Sequence, residues 1–140
     1  MPIRYLLDTN VISEMATKAP DAGVARALTR YEADCALPAP VLEELQFGVA
    51  RLAPGRKRAM LEHWLAALTD RIEVLPYDAG AATWLGRERA RLAGLGKPAP
   101  RADGEIAAIA VTQGLTLVTR NLGDFAGFEG LFLENWHTGK

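Results

Sequence analysis

An α/β fold, with a mostly parallel sheet and helices on both faces, is predicted by three features of the sequence. Short apolar runs alternate with longer segments of helical period from one end of the chain to the other. Turn and cap residues stand at nearly every change between them. The length of 140 residues is enough for one real core, because a chain of this size hides about two-thirds of its unfolded surface on folding. A single domain over residues 1–140 is therefore expected.

The elements follow in order. Ile3-Arg4-Tyr5-Leu6-Leu7 reads as a short buried strand, stopped by Asp8-Thr9-Asn10, three residues that favour turns and caps. Val11 to Met15 starts a helix. Asp21 caps a second, with Val24, Leu28 and Tyr31 along one side. Cys35-Ala36-Leu37 is a strand. Pro40 suits the first residue of the next helix, whose inner face is Val41, Leu45, Val49 and Leu52, and Pro54-Gly55 breaks it. A helix from about Arg56 to Leu68 precedes a strand at Ile72-Glu73-Val74-Leu75. Asp78 caps a long helix ending near Leu92, and a loop runs from Gly94 to Pro100. Asp103 is placed to begin another helix, with Ile106, Ala107 and Ala110 inward. Leu115 to Thr119 is the clearest strand, and Leu131-Phe132-Leu133 a last one.

Composition excludes several functions. With 49% hydrophobic and 24% charged residues, the chain is not of the disordered type. Sixteen basic against seventeen acidic residues give a net charge of −1, which rules out a uniformly basic nucleic-acid coat but not a local basic patch. The single Cys35 excludes a disulfide framework and a cysteine-rich zinc site. No apolar run approaches the roughly 18 residues of a membrane span, and the N-terminal residues lack the pattern of a signal peptide. A cytoplasmic protein without membrane attachment is expected.

Chemistry points to four acids. Ligands of an open parallel sheet bind beyond the C-terminal strand edges. Asp8 follows the first strand, Asp124 lies in the loop after Leu115 to Thr119, and Asp103 stands at a helix start. Glu44 lies within a helix one turn before Gly48, which leaves space beside it. Carboxylates gathered in one place repel each other, and burial raises their pKa values, so such a cluster wants a cation. Mg²⁺ takes oxygen ligands at about 2.0–2.1 Å, and four acids suffice for one ion or for two at about 3.5–4 Å. Such a centre suits phosphodiester hydrolysis without a protein nucleophile. His63 and His137 are misplaced for a Ser/His/Asp triad, and no H-E-x-x-H zinc pattern exists. Gly94-Leu95-Gly96-Lys97 lacks the spacing of a phosphate loop. Each acid taken alone has a plainer role: Asp8 and Asp103 as caps, Asp124 in a turn, Glu44 solvated like Glu43 beside it.

Four segments together resemble the PIN-domain ribonucleases, and within them the VapC-type toxins of bacterial toxin–antitoxin pairs. Leu6-Leu7-Asp8-Thr9-Asn10-Val11-Ile12-Ser13-Glu14 is similar to the first family motif. Val41-Leu42-Glu43-Glu44-Leu45-Gln46-Phe47-Gly48-Val49 resembles the second, with Glu44 rather than Glu43 as its acid. Asp103-Gly104-Glu105-Ile106-Ala107-Ala108-Ile109-Ala110 resembles the third, and Leu117-Val118-Thr119-Arg120-Asn121-Leu122-Gly123-Asp124-Phe125 the fourth. Glu134-Asn135-Trp136 is similar to the Asn-Pro-Trp ending of a FitB-like subgroup, without its proline. The family varies at Gly104 and Glu105; Glu105 reads as a solvated first-turn glutamate favoured by the helix dipole.

The resemblance implies a compact Rossmann-like fold, Mg²⁺ (or Mn²⁺) at Asp8, Glu44, Asp103 and Asp124, and endonucleolytic RNA cleavage leaving 5′-phosphate and 3′-hydroxyl ends. It also implies a cognate antitoxin, a homodimer, and contact with promoter DNA only through the antitoxin, which docks in an apolar groove between helices and sets a basic side chain over the carboxylates. Thr9, Asn10, Ser13, Thr119 and Asn121 are candidate donors that orient carboxylates and phosphate, or else ordinary turn and cap residues. An acidic pocket repels RNA, so positive charge must stand at its rim; Arg120 is best placed, with Lys97 and Arg101 beside the loop before Asp103. Arg56-Lys57-Arg58 opposes a helix dipole, yet reads as a solvated face. Trp64 and Trp84 read as core or dimer contacts and Trp136 as a terminal packing anchor. Two other functions compete. A phosphohydrolase of small phosphate esters, of the haloacid dehalogenase type, needs an acid where Asn10 stands. An inactive co-repressor that only binds the antitoxin would have no use for all four acids.

Overall fold

A computed structural model describes residues 2–139. Five parallel strands, β1 (Tyr5–Leu7), β2 (Cys35–Pro38), β3 (Glu73–Leu75), β4 (Thr116–Val118) and β5 (Phe132–Glu134), form one sheet in the order β3-β2-β1-β4-β5. Between them run α1 (Thr9–Ile12), α2 (Ala22–Tyr31), α3 (Ala39–Ala50), α4 (Arg56–Arg71), α5 (Ala79–Gly94), α6 (Arg101–Gln113) and α7 (Leu122–Phe125). The α/β prediction holds.

The central strand is apolar on both faces because helices cover both. Leu6 and Leu7 of β1, Leu37 of β2 and Leu117 and Val118 of β4 have no exposed surface. The connection leaving β1 runs to β2 on one side, and the connection leaving its neighbour β4 runs to β5 on the other. A crevice must open where the chain divides in this way, beyond the C-terminal ends of β1 and β4. Asp8 and Thr119 stand there, one residue past each strand.

Local chemistry explains where the element ends differ from the sequence reading. Asp8 caps α1 by accepting the Thr9 N–H, so the helix starts two residues earlier than Val11, and Ser13–Ala16 continues as a 3₁₀ turn. Helix α4 runs past Leu68 to Arg71, and α5 past Leu92 to Gly94. Asp103 does not begin its helix: α6 starts at Arg101 behind Pro100, and Asp103 sits in the first turn. Asp124 lies in the short helix α7 rather than in a loop. Leu52 is only half-buried, since α3 ends at Ala50. Gly114, at φ +69°, closes α6 in the left-handed conformation, and the Leu115 N–H reaches back to the Ala110 carbonyl at 2.9 Å, a helix stop that favours glycine.

The C-terminal segment folds back on β1 and α2. Trp136 packs edge-on to Tyr5, ring centroids 5.1 Å apart, and 5.9 Å from Tyr31. The Asp21 carboxylate caps α2 through the Gly23 and Val24 N–H groups and also accepts those of Thr138 and Gly139. These backbone donors, Gly139 first, hold its carboxyl well below the usual carboxylate range. A Cβ on Gly23 would collide with the Trp136 carbonyl oxygen and meet Thr138 Cγ2 at 2.6 Å. In an open helix Gly→Ala gains about 0.5–1 kcal/mol. Here Gly23→Ala is expected to destabilise instead, by about 1–3 kcal/mol as overpacking does. Urea titration measures the sign, and tryptophan emission shifts to the red as Trp136 leaves its aromatic partners.

Candidate active site

Burial and hydrogen bonding make Asp8 the fixed point of the crevice. Its residue surface is 8% exposed. The backbone N–H donates to the Val118 carbonyl at 3.0 Å, which locks the residue to the end of β4. Its carboxylate accepts the Thr9 N–H at 2.8 Å, the Thr119 hydroxyl at 2.8 Å and the Asn10 amide at 3.3 Å. Burial pushes the Asp8 carboxyl above its ordinary pKa, and the Glu44 charge adds to this; the three donors pull the other way.

A second set of bonds ties the two turns together. Thr119 is wholly buried, and its hydroxyl oxygen also accepts the Asn121 N–H at 3.0 Å. The Asn10 side-chain oxygen accepts the Arg120 N–H at 3.0 Å. Asn10 thus bridges the carboxylate of one turn and the backbone of the other. Thr9 spans to α3, its hydroxyl donating to the Glu44 carboxylate at 2.9 Å. Ser13 takes part through its backbone alone, as the C-cap of α1, and Asn121 through its N–H. Among the described residues neither shows a side-chain hydrogen bond.

Asp103 and Asp124 are acids of a different kind. Among the described residues neither carboxylate receives a hydrogen bond. Asp103 has its pKa raised by burial first, then by the charges of Asp8, Asp124 and Glu44 in that order. Three carboxylates distant in the chain, two of them separated by 116 positions, thus act on Asp103 across the crevice. Among the described residues, no three His, Cys, Asp or Glu side chains approach closely enough to clamp a metal ion as they stand. The four share a field rather than a closed ligand shell. The donor set is all oxygen and anionic, which suits a hard divalent cation such as Mg²⁺ and not a soft one. His63 is exposed in mid-helix on α4, and His137 is buried in the C-terminal segment 3.4 Å from Glu14.

Of the basic residues expected around the site, Arg120 adjoins the Asp8 turn through its N–H bond to Asn10 and Arg101 lines a cleft with Glu44, while among the described residues nothing ties Lys97 to the acids. Arg120, Lys97 and Arg101 are all exposed. Arg101 pairs with Glu105 at 3.0 Å, so Glu105 is a half-buried ion-pair partner and not a freely solvated glutamate. Arg58 is also engaged, with Glu62 and with the Leu52 carbonyl. An open cleft of about 510 Å³ between α3 and α6 is lined by Pro40, Glu43, Glu44, Phe47, Arg101, Ala102 and Glu105, so that Glu44 is the one of the four acids that borders it. The sequence reading passed over Phe47. Its signal was there: it falls off the Val41, Leu45, Val49 stripe that α3 buries.

The repulsion at Asp103 has a measurable consequence. A carboxyl whose pKa is raised on folding binds more protons in the folded state, so stability falls as pH rises through the window above 3.8. Asp103→Asn is neutral throughout and gives up no hydrogen bond. It is expected to raise the melting temperature of the metal-free protein near neutral pH by a few degrees, about 1 kcal/mol being worth roughly 2–4 °C. Below the ordinary aspartate pKa the difference closes. Thermal scans at the two pH values check both signs.

Comparison with known proteins agrees with this architecture. The sequence profile of the PIN domain matches residues 5–129. The tRNA(fMet)-specific endonuclease VapC of Shigella flexneri is 34% identical over 96% of the chain and 98% of that protein. The toxin FitB of Neisseria gonorrhoeae is 35% identical over 94% of the chain and 98% of its own length. The crystal structure of VapBC2 from Rickettsia felis, bound to a DNA fragment from its promoter, superposes with a TM-score of 0.82 at 29% identity, covering 97% of the chain and 99% of the other. A parallel sheet with acids at its switch point, a matching profile over most of the length and near-full-length relatives a third identical lead to one conclusion: the chain belongs to the PIN domain family.

Proposed function

We propose that the chain is a metal-dependent endoribonuclease, the toxin of a type II toxin–antitoxin system, and that Asp8, Glu44, Asp103 and Asp124 hold its metal. The observation that carries this reading is the gathering of chain-distant carboxylates beside the sheet's switch point, where the charges of Asp8, Asp124 and Glu44 all bear on Asp103. The names of the relatives, ribonucleases and toxins, support it. Mg²⁺ is the proposed cofactor, with Mn²⁺ as its substitute. When bound, such an ion polarises a phosphoryl oxygen and lowers the pKa of water.

The chain's own residues supply position and charge. Thr119, Thr9 and Asn10 fix both oxygens of Asp8, so that its lone pairs face the crevice in one orientation. Thr9 does the same for Glu44. Residues of this kind, one bond behind a ligand, are typically worth 10–100-fold in metal affinity or activity. Asp103 and Asp124, without donors, remain adjustable. Arg120, Arg101 and Lys97 offset the acidic field on the side from which RNA approaches. Asn10 is committed to Asp8 and Arg120, which speaks against the small-ester phosphohydrolase, whose mechanism needs an acid there.

In this reading the antitoxin lays an apolar segment in the groove between α3 and α4, lined by Leu42, Gln46, Leu65, Ala66, Thr69 and Val74. The toxin works in the cytoplasm as a homodimer, and DNA is reached only through the antitoxin, as fits the DNA-bound VapBC2 complex. Among the described residues no helix is long and apolar enough to cross a membrane.

Asp8→Asn is expected to lower cleavage of total RNA in Mg²⁺ by at least about 100-fold, since it removes a charged ligand while keeping the shape of the side chain. EDTA should abolish wild-type cleavage, and added Mg²⁺ restore it. Equal cleavage by Asp8→Asn and wild type sinks the assignment. Thr119→Val is expected to fall between the two, about 10–100-fold down, with a higher Mg²⁺ concentration for half-maximal rate.

A further inference from the structure

Phe47 is the large side chain beside the acids that the proposed chemistry leaves without a task. It follows Glu44 by three residues on α3, so the two are neighbours on one helix face, about 4.5 Å apart along the axis. Both line the same cleft, with Arg101 and Ala102 from the start of α6. The Phe47 side chain is nevertheless 66% exposed. The Arg51 guanidinium lies 5.8 Å from its ring centroid, close enough for a cation–π contact that steadies the ring.

The company the ring keeps narrows what it meets. Its neighbours in the cleft are Glu43, Glu44, Arg101 and Glu105. On its other side the ring borders Ala39, Leu42 and Ala50, but Arg101 is already paired with Glu105, so an apolar protein segment pressed over the cleft would bury the Glu43 and Glu44 carboxylates without a counter-charge, at high cost. A flat group whose edge carries amino donors, and which leaves the carboxylates open to water, lessens that penalty. We propose that Phe47 is a substrate-positioning residue, its ring stacking on an unpaired nucleobase of the RNA adjacent to the phosphate held at the acids. The proposal rests on the ribonuclease reading. Every base has a π-face, so such a platform tolerates sequence. It does require the base to be out of a duplex, which directs cleavage to loops and single strands.

The test uses a 5′-labelled single-stranded RNA oligonucleotide spanning a cleavage site mapped in total RNA, with Mg²⁺. Phe47→Ala and Phe47→Leu are expected to raise KM roughly 10–100-fold, the range of one base–aromatic stack, with kcat changed far less. Phe47→Tyr restores the wild-type value. All three should melt close to wild type, because the ring is exposed. Abasic nucleotides scanned through the oligonucleotide give a second reading on the wild-type protein alone. At one position the wild type falls to the level of Phe47→Ala, and there Phe47→Ala loses nothing more. The proposal is overturned if Phe47→Leu matches wild type, or if no abasic position discriminates. It is also overturned if Phe47→Ala cleaves normally yet loses self-association in sedimentation, which would make the ring a protein contact. Wild type that cleaves while Phe47→Ala cleaves equally removes this inference only. Wild type that leaves total RNA intact removes the ribonuclease reading, and this inference with it.

Discussion

Carboxylate repulsion at the switch point is the constraint around which the molecule is arranged. An acid in a largely buried position loses water, and Asp8 also faces the charge of Glu44. Asp8 survives this because three donors face it, each hydrogen bond to a charged group being worth about 1.5–3 kcal/mol. They do not cancel the burial, since its pKa still stands above the ordinary value. The folded state therefore carries local stress that any nearby cation relieves. That stress lies next to the core of the sheet, where β1, β2 and the Leu117–Val118 end of β4 are buried. A weaker scaffold would let the acids drift out into solvent and the stress would vanish, and the cation's advantage with it.

Topology converts that stress into a defined place. With β1 between β2 and β4, the segments that follow β1 and β4 emerge side by side. The Asp8 N–H to Val118 bond and the Asn10 to Arg120 bond then join them. Helix α6 is brought close by its packing on α5, tight enough that a Cβ on Gly104 would stand 2.9 Å from Leu85 Cδ1. This explains why the residue after Asp103 is small. A larger side chain would have to displace the Leu85 methyl groups packed against this first turn.

The parts of this design that rest on local chemistry were legible in the sequence. Asp8-Thr9-Asn10 after an apolar run announces a strand end, and Asp21 and Asp78 announce helix caps that the structure contains. The start of α6 was misplaced because Pro100 caps it with no side-chain bond, leaving Asp103 as the only visible cap candidate. The clamp of Asp21 on Thr138 and Gly139 spans more than 115 positions and has no local signature at all. Phe47 shows a third kind of failure. Within its motif nothing marks it as exposed, whereas its phase on α3, two residues from Leu45 and two from Val49, puts it on the far side from both.

The acids themselves divide by their partners. Asp8 and Glu44 receive hydroxyl or amide donors and are held in place; Asp103 and Asp124 are not. In a site built to bind a small cation that insists on near-ideal geometry, this mixture has a physical logic. Four rigid carboxylates would have to be placed within a few tenths of an ångström by folding alone, against their own repulsion. Four loose ones would surrender side-chain entropy on every binding event. With the proposed ion, the two anchored acids would set the position and the two without donors would be left to adjust to it. The open arrangement of the carboxylates is then what four like charges should adopt at the end of a parallel sheet, and the hydroxyls of Thr9 and Thr119 are what keep that arrangement from opening further.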